Sequence, residues 1–259
     1  MRTINIKIFN LIAFLFLANY AMAQCNSCAS WDSNYLNIKG NSNTSFGKSS
    51  LQSVTSGQFN TGMGYQALNK DTSGSFNTAV GYQTLMSNDT GKNNTAMGVL
   101  ALSKNTNGNN NTAMGWDALF NNISGGANTA FGAQALFSSK TVGGNTAVGY
   151  QALFKDSAGS SNCALGYQAL FSDSSGNDNS AFGFQTLFRN TSGGRNIAFG
   201  NESLKNNVDG NNNNANGYQS LYSHRTGSFN TATGSYSMYT DSAGVDNTAN
   251  GYRALYSHF

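Results

Sequence analysis

The pattern of polar and apolar positions along this chain repeats every 17 residues. An Asn opens each copy, at Asn43, Asn60, Asn77, Asn94, Asn111, Asn128, Asn145, Asn162, Asn179, Asn196, Asn213, Asn230 and Asn247. These copies are numbered coils 1 to 13, and positions within a coil run from the Asn at position 1. The consensus is Asn-Thr-Ala-apolar-Gly-Tyr-Gln-Ala-Leu-Phe, then four polar residues, Gly and two variable positions. No insertion or deletion interrupts the thirteen copies. A short fixed period of this kind is the signature of a solenoid, in which each unit stacks in register on the last.

The spacing predicts an all-β parallel β-roll, or β-solenoid, with two short strands per coil. One is Thr-Ala-apolar and the other Gln-Ala-Leu-Phe, with the invariant position-5 Gly (Gly47 to Gly251) turning the chain between them. The polar run ending in Gly, as in Ser87-Asn88-Asp89-Thr90-Gly91, reads as the return turn. Helices are disfavoured, because Asn, Gly and β-branched Thr recur too densely.

Alternation along the first strand groups Asn, Ala and Gly on one face and Thr with the apolar residue on the other. Position 3 is always Ala, Ser or Gly, whereas position 4 changes from Val80, Met97 and Phe131 to Asn216, Thr233 and Asn250. A buried position should not become Asn without a partner. The small face and the position-9 Leu are therefore expected inside, with position 4 facing solvent or another chain. The reverse arrangement, with position 4 in the core and Leu outside, is the alternative. Asn77, Asn94, Asn111, Asn128 and Asn145 are expected to form a hydrogen-bonded ladder from coil to coil.

Under the first arrangement Phe46, Met63, Val80, Met97, Met114, Phe131, Val148, Leu165, Phe182 and Phe199 line one face. A continuous apolar stripe of that size is seldom left in water, and its burial points to self-association in a closed, symmetric oligomer.

Composition narrows the classes. Charged residues are 10% of the 259, Pro is absent and aromatics reach 12% in fixed phase, which argues against disorder. The net charge of +3 comes from scattered basic residues, so no nucleic-acid partner is expected. Residues 1–23 read as a secretory signal peptide: Arg2 and Lys7, then an apolar core from Phe9 to Leu17, then Ala21-Met22-Ala23 as the cleavage site. Export to the cell surface or medium follows, and no further stretch is apolar enough to span a membrane. Residues 24–42 read as a cap over the first coil, and 43–259 as the repeat domain. Cys25 and Cys28 are disulfide candidates, with each other or with another chain.

Candidate chemistry is sparse. His224 and His258 occupy equivalent places two coils apart and read as solvated turn residues. Asp71, Asp89, Asp156, Asp173 and Asp241 lie in the return turns and also read as solvated, since the Gly-Gly-x-Gly-x-Asp calcium nonapeptide is absent. Cys163 replaces Thr and reads as a small buried side chain. No nucleophile elbow, phosphate loop or metal motif is present, so the expectation is a non-enzyme without metal or cofactor. The aromatic row Tyr65, Tyr82, Trp116, Tyr150, Tyr167, Tyr218 and Tyr252 is the binding candidate. Such rings can stack on sugars or peptides, or on one another between coils.

At units such as Asn145-Thr146-Ala147-Val148-Gly149 the chain resembles the haemagglutinin-type head repeats of trimeric autotransporter adhesins, and fibre repeats of phages and bacteria. The resemblance covers residues 43–259, with a period longer than the usual head repeat. It implies a left-handed parallel roll, a homotrimer, and a place at a cell surface or on a fibre. The functional expectation is a secreted adhesin or fibre-type protein presenting a repetitive surface to a host-surface, matrix or glycan ligand. A filament subunit assembling end to end is the alternative. Ice binding is a lesser one, because Cys163 and Ile197 interrupt the Thr row.

Overall fold

The computed structural model describes residues 42–257, and the leader, the cap, Cys25, Cys28 and His258 lie outside the described residues. The chain is a β-solenoid with a 17-residue coil. Thirteen three-residue strands, β1 (Thr44–Phe46) to β13 (Thr248–Asn250), form one parallel sheet in chain order. Each residue pairs with the one 17 places on, as Thr129 with Thr146 and Phe131 with Val148. Among the described residues no helix is long and apolar enough to cross a membrane.

The expected second strand does not form. Strand structure is confined to positions 2 to 4, and Gln-Ala-Leu-Phe is a run of turns. The reason lies in positions 8 and 9. Ala152 and Leu153 are adjacent and both fully buried, whereas successive residues of a strand point to opposite faces. The chain resolves this by placing alternate residues in the left-handed region, with φ of 54° at Gln151 and 50° at Leu153. This conformation is unfavourable for residues with a Cβ. Bonds to both neighbouring coils hold it: Gln151 N–H donates to Ala133 O at 3.0 Å and Leu153 N–H to Ala169 O at 3.0 Å.

The interior is one residue thick. Position-3 Ala, position-8 Ala, Ser or Thr, and position-9 Leu are buried along the rod, which settles the orientation with Leu inside and position 4 outside. The anchor Asn residues of coils 2 to 12 are also buried. From coil 1 to coil 12 each uses both ends of its side-chain amide. Asn145 Nδ2 donates to Gly159 O of its own coil at 2.9 Å, and its Oδ1 accepts the Asn162 N–H of the next coil at 2.9 Å. The second link repeats from Asn43 to Asn247 without a break, at 2.8 to 3.1 Å. Asp lacks the donor and Gln is a methylene too long, so Asn alone fits.

Position-5 glycines, like those at position 15, lie where neighbouring coils press close. Gly149 has φ of 130°, and a Cβ there would lie 2.4 Å from Gly166 O. Gly149→Ala is therefore expected to lower stability by about 2 kcal/mol or more, from backbone strain and the displaced neighbouring coil. Urea unfolding followed by circular dichroism measures this, and a midpoint equal to the native one would contradict the close approach.

Candidate functional site

The outward face is built by the same alternation that buries Ala. Positions 2 and 4 of each strand point away from the interior. Phe46, Phe131 and Phe199 at position 4 are 57%, 51% and 56% exposed. Met63, Met97 and Leu165 are exposed with them, and Val80, Met114, Val148 and Phe182 are half-buried. Asn216, Thr233 and Asn250 end the stripe in the last three coils. The structure thus presents a ten-coil apolar row on a parallel sheet. Cys163, at position 2 of this face, is half-buried rather than buried, because position 2 points outward. Partial burial holds its thiol above the ordinary value, so it stays protonated.

Beside this row stand the position-6 aromatics. Tyr65, Tyr82, Trp116, Tyr150, Tyr167, Tyr218 and Tyr252 are all exposed. The structure does not assemble them into one surface for ligand rings, because neighbours stack on one another. Tyr65 lies 5.3 Å from Tyr82 with planes 12° apart, and Tyr150, Tyr167 and Phe184 continue at 5.3 and 5.4 Å. Inside such a run both ring faces are covered and only edges and hydroxyls are free. Val99, Ala133, Asn201 and Ser235 interrupt the row. A second ladder at position 10, Phe120, Phe137, Phe154, Phe171 and Phe188, is half-buried and stacked at 5.2 to 5.6 Å. Each stacked pair contributes roughly 0.5–1.5 kcal/mol beyond area burial.

The return-turn acids require correction. Asp89 is exposed, but Asp71, Asp156, Asp173 and Asp241 are buried, and so is His224. All five buried residues occupy position 12, whose side chains turn inward and form a second polar column. Asn105 Nδ2 donates to Asn88 Oδ1 and Asn122 Nδ2 to Asn105 Oδ1, both at 2.7 Å. Aspartates here also accept the position-15 N–H, as Asp156 does from Gly159 at 2.7 Å and Asp173 from Gly176 at 3.0 Å, and Asp173 Oδ1 continues the column by accepting from Asn190 Nδ2 at 2.9 Å. His224 lies 2.9 Å from Gly227 O through Nε2, and its Nδ1 has no partner. The sequence does carry a signal for this column. Position 12 is Asp, Asn, Ser or His in every coil after the first, and never Lys, whereas position 11 is Lys at Lys70, Lys104 and Lys155.

Burial pushes the carboxyls of Asp71, Asp156 and Asp173 up to about 7, against an ordinary 3.8, and the backbone hydrogen bonds that pull the other way do not offset it. Asp156 and Asp173 occupy the same position in adjacent coils, and after burial the nearby Asp156 charge raises Asp173 further. Among the described residues no group of three or more His, Cys, Asp and Glu is placed to hold a metal ion. Comparison with protein-family models, curated protein sequences and solved structures finds no match.

Raised carboxyl pKa values have a definite consequence for stability. The folded state keeps these protons to about pH 7, whereas the unfolded chain releases them near pH 4. The contribution is full below about pH 4 and is lost as pH rises through 7, at roughly 1.4 kcal/mol per pH unit for each group. Thermal melts of the native protein are expected to fall in midpoint from pH 4 to pH 8. Asp156→Asn combined with Asp173→Asn, which restores the residue found at Asn88 and Asn190, should flatten that slope. A native midpoint that rises with pH across this window would contradict the buried pair.

Proposed function

We propose that the protein is an exported, non-enzymatic rod that displays a repeated surface, as an adhesin or a fibre component, and that several copies associate through the position-4 stripe. The observation that carries this reading is the stripe itself. Ten consecutive coils hold an apolar side chain outward on one parallel sheet, which costs about 25 cal/mol per Å2 while it faces water. The face serves no internal packing, because Ala and Leu fill the interior without it. Burial between copies removes that cost, and a closed homotrimer is the form suggested by the resemblance to adhesin heads. Association also multiplies each weak surface contact, which is how a repetitive face holds a host surface, matrix or glycan.

The filament reading has its own support. Among the described residues β13 pairs on one side only, and Tyr252 and Leu255 of the last coil are exposed. An unpaired strand edge is a template for another chain. Electron micrographs at rising concentration distinguish fibres from discrete particles.

Light scattering on the purified protein is expected to give a small whole multiple of the chain mass. Phe131→Gln, Leu165→Gln and Phe199→Gln together should reduce it to one chain with the circular dichroism unchanged, since all three side chains point outward. A native protein that is monomeric at high concentration would sink the interface. Failure to bind cells, matrix proteins or a glycan panel would leave a purely structural rod.

A further inference from the structure

The corner that joins the return turn to the anchor Asn carries a groove of about 460 Å3 along coils 8 to 11, a size that takes a small ligand. Its origin lies at position 16. Side chains there cap the backbone of the coil before: Ser160 N–H donates to Asn177 Oδ1 at 2.9 Å, Gly194 N–H to Asn211 Oδ1 at 2.8 Å and Asn211 N–H to Ser228 Oγ at 3.0 Å. Gly194 has no side chain to offer, so the Asn177 N–H has no partner among the described residues. Gly126 and Gly143 also sit at position 16, but they adjoin one another, and Ala127 and Gly144 follow them. Gly194 stands alone between Asn177 and Asn211, a notch one coil wide, and Arg195 follows it.

The polar groups that line this groove are unspent and open to solvent. Among the described residues the Arg195 guanidinium makes no hydrogen bond, and its one ion pair, with Asp178 at 4.0 Å, joins side chains 74% and 55% exposed. An exposed pair of this kind contributes little and is readily exchanged for another anion. The side chains of Asn212 and Ser192 line the groove and make no hydrogen bond among the described residues. Phe229 closes the far end with its ring 59% exposed, two coils from Arg195 and so on the order of 10 Å away. The order of these groups selects the occupant. A guanidinium offers parallel N–H groups that match a planar carboxylate, and the Asn177 N–H adds a third donor. The amide and hydroxyl in the middle suit sugar hydroxyls, and the C–H face of a pyranose covers an aromatic ring, taking both out of water. Two linked pyranose rings span the distance, at roughly 5 Å per ring from ordinary bond lengths.

We infer that the groove binds an acidic disaccharide unit of a glycan, with a hexuronate carboxylate held by Arg195 and the Asn177 N–H and the neighbouring sugar laid on Phe229. This gives the adhesin reading a ligand class and rests on that reading for its biological sense. Asp178 competes for the same guanidinium, so one groove holds its sugar weakly, and association of several rods supplies the avidity.

Gly194→Asn tests the groove directly. Asn stands at this position at Asn177 and Asn211, and the Gly194 backbone does not adopt a positive φ. A Cβ there would lie 3.0 Å from Asn177 O, a contact that a small shift relieves. The substitution fills the notch and gives the Asn177 N–H its missing acceptor. The probes are disaccharides containing a hexuronate, their neutral hexose counterparts and sulfated disaccharides without a carboxylate, each followed by ligand-observed magnetic resonance. The native protein is expected to bind a hexuronate disaccharide at least tenfold more tightly than its neutral counterpart. Gly194→Asn and Arg195→Gln should each weaken that binding at least tenfold, with solution mass and circular dichroism unchanged. Asp178→Asn should tighten it severalfold by removing the competing carboxylate. Equal binding by the native protein and Gly194→Asn would overturn the groove, as would a native protein that binds no hexuronate disaccharide or prefers the neutral or sulfated ones. Adhesion to cells or matrix that survives Gly194→Asn would overturn the groove as the adhesive site while preserving the adhesin reading. Hexuronate binding by a protein that adheres to nothing would preserve the groove and sink the adhesin.

Discussion

Every coil of this protein depends on being the same length as its neighbours. Backbone groups of a three-residue strand find partners only in the coils before and after, and so do most of those in the turns. An isolated coil would leave them unpaired around an interior of one Leu and a few small residues, which cannot offset the entropy of ordering 17 residues. The anchor Asn makes the dependence local and chemical. Its amide closes its own coil through one atom and captures the next through the other. One residue added anywhere would move that amide out of reach, and the absence of insertions across thirteen copies is the record of this constraint. Stability is then close to a sum over neighbouring pairs, as in other stacked repeats.

A thin interior also dictates what the surface must be. The section of the rod has room for Ala at position 3, a small residue at position 8, Leu at position 9 and two short polar side chains, at positions 1 and 12. Phe, Tyr, Trp and most of the Met have no place inside and are carried outside or at the margin. In a globular domain such residues would form the core. Here stacking between coils recovers part of their burial at positions 6 and 10, and position 4 keeps a long exposed row. The exposed apolar face is therefore a product of the coil's narrowness as much as of any partner.

Much of this was legible in the residues, because period and position carry it. The solenoid, the inward Ala and Leu and the outward position 4 follow from strict spacing and from which positions tolerate Asn. The Gln-Ala-Leu-Phe segment was not legible as turns. Its composition suits a strand, and only the joint burial of Ala152 and Leu153 forces the left-handed residues that rule one out. The position-12 column was missed for a different reason. Asp and His in a polar run ordinarily mean solvent, and the decisive fact was negative: no Lys appears at position 12 although the adjacent position 11 carries several. In a stacked fold, the range of residues that a position refuses is as informative as the consensus.

A perfectly repeating surface offers a ligand no particular place along its axis. A row of identical side chains stacked at one spacing saturates itself, each ring covering the faces of the next and each amide satisfying the one before. Ligand chemistry needs unmet faces and unmet hydrogen-bonding groups, and within a ladder these arise only where the repeat is broken. Some departures are compensated by a neighbour, as where Ser235 breaks the row and Tyr236 meets the rings of Tyr218 and Tyr252. In a protein whose stability comes from repetition, specificity has to come from exceptions, and coincident exceptions are where it is physically able to reside.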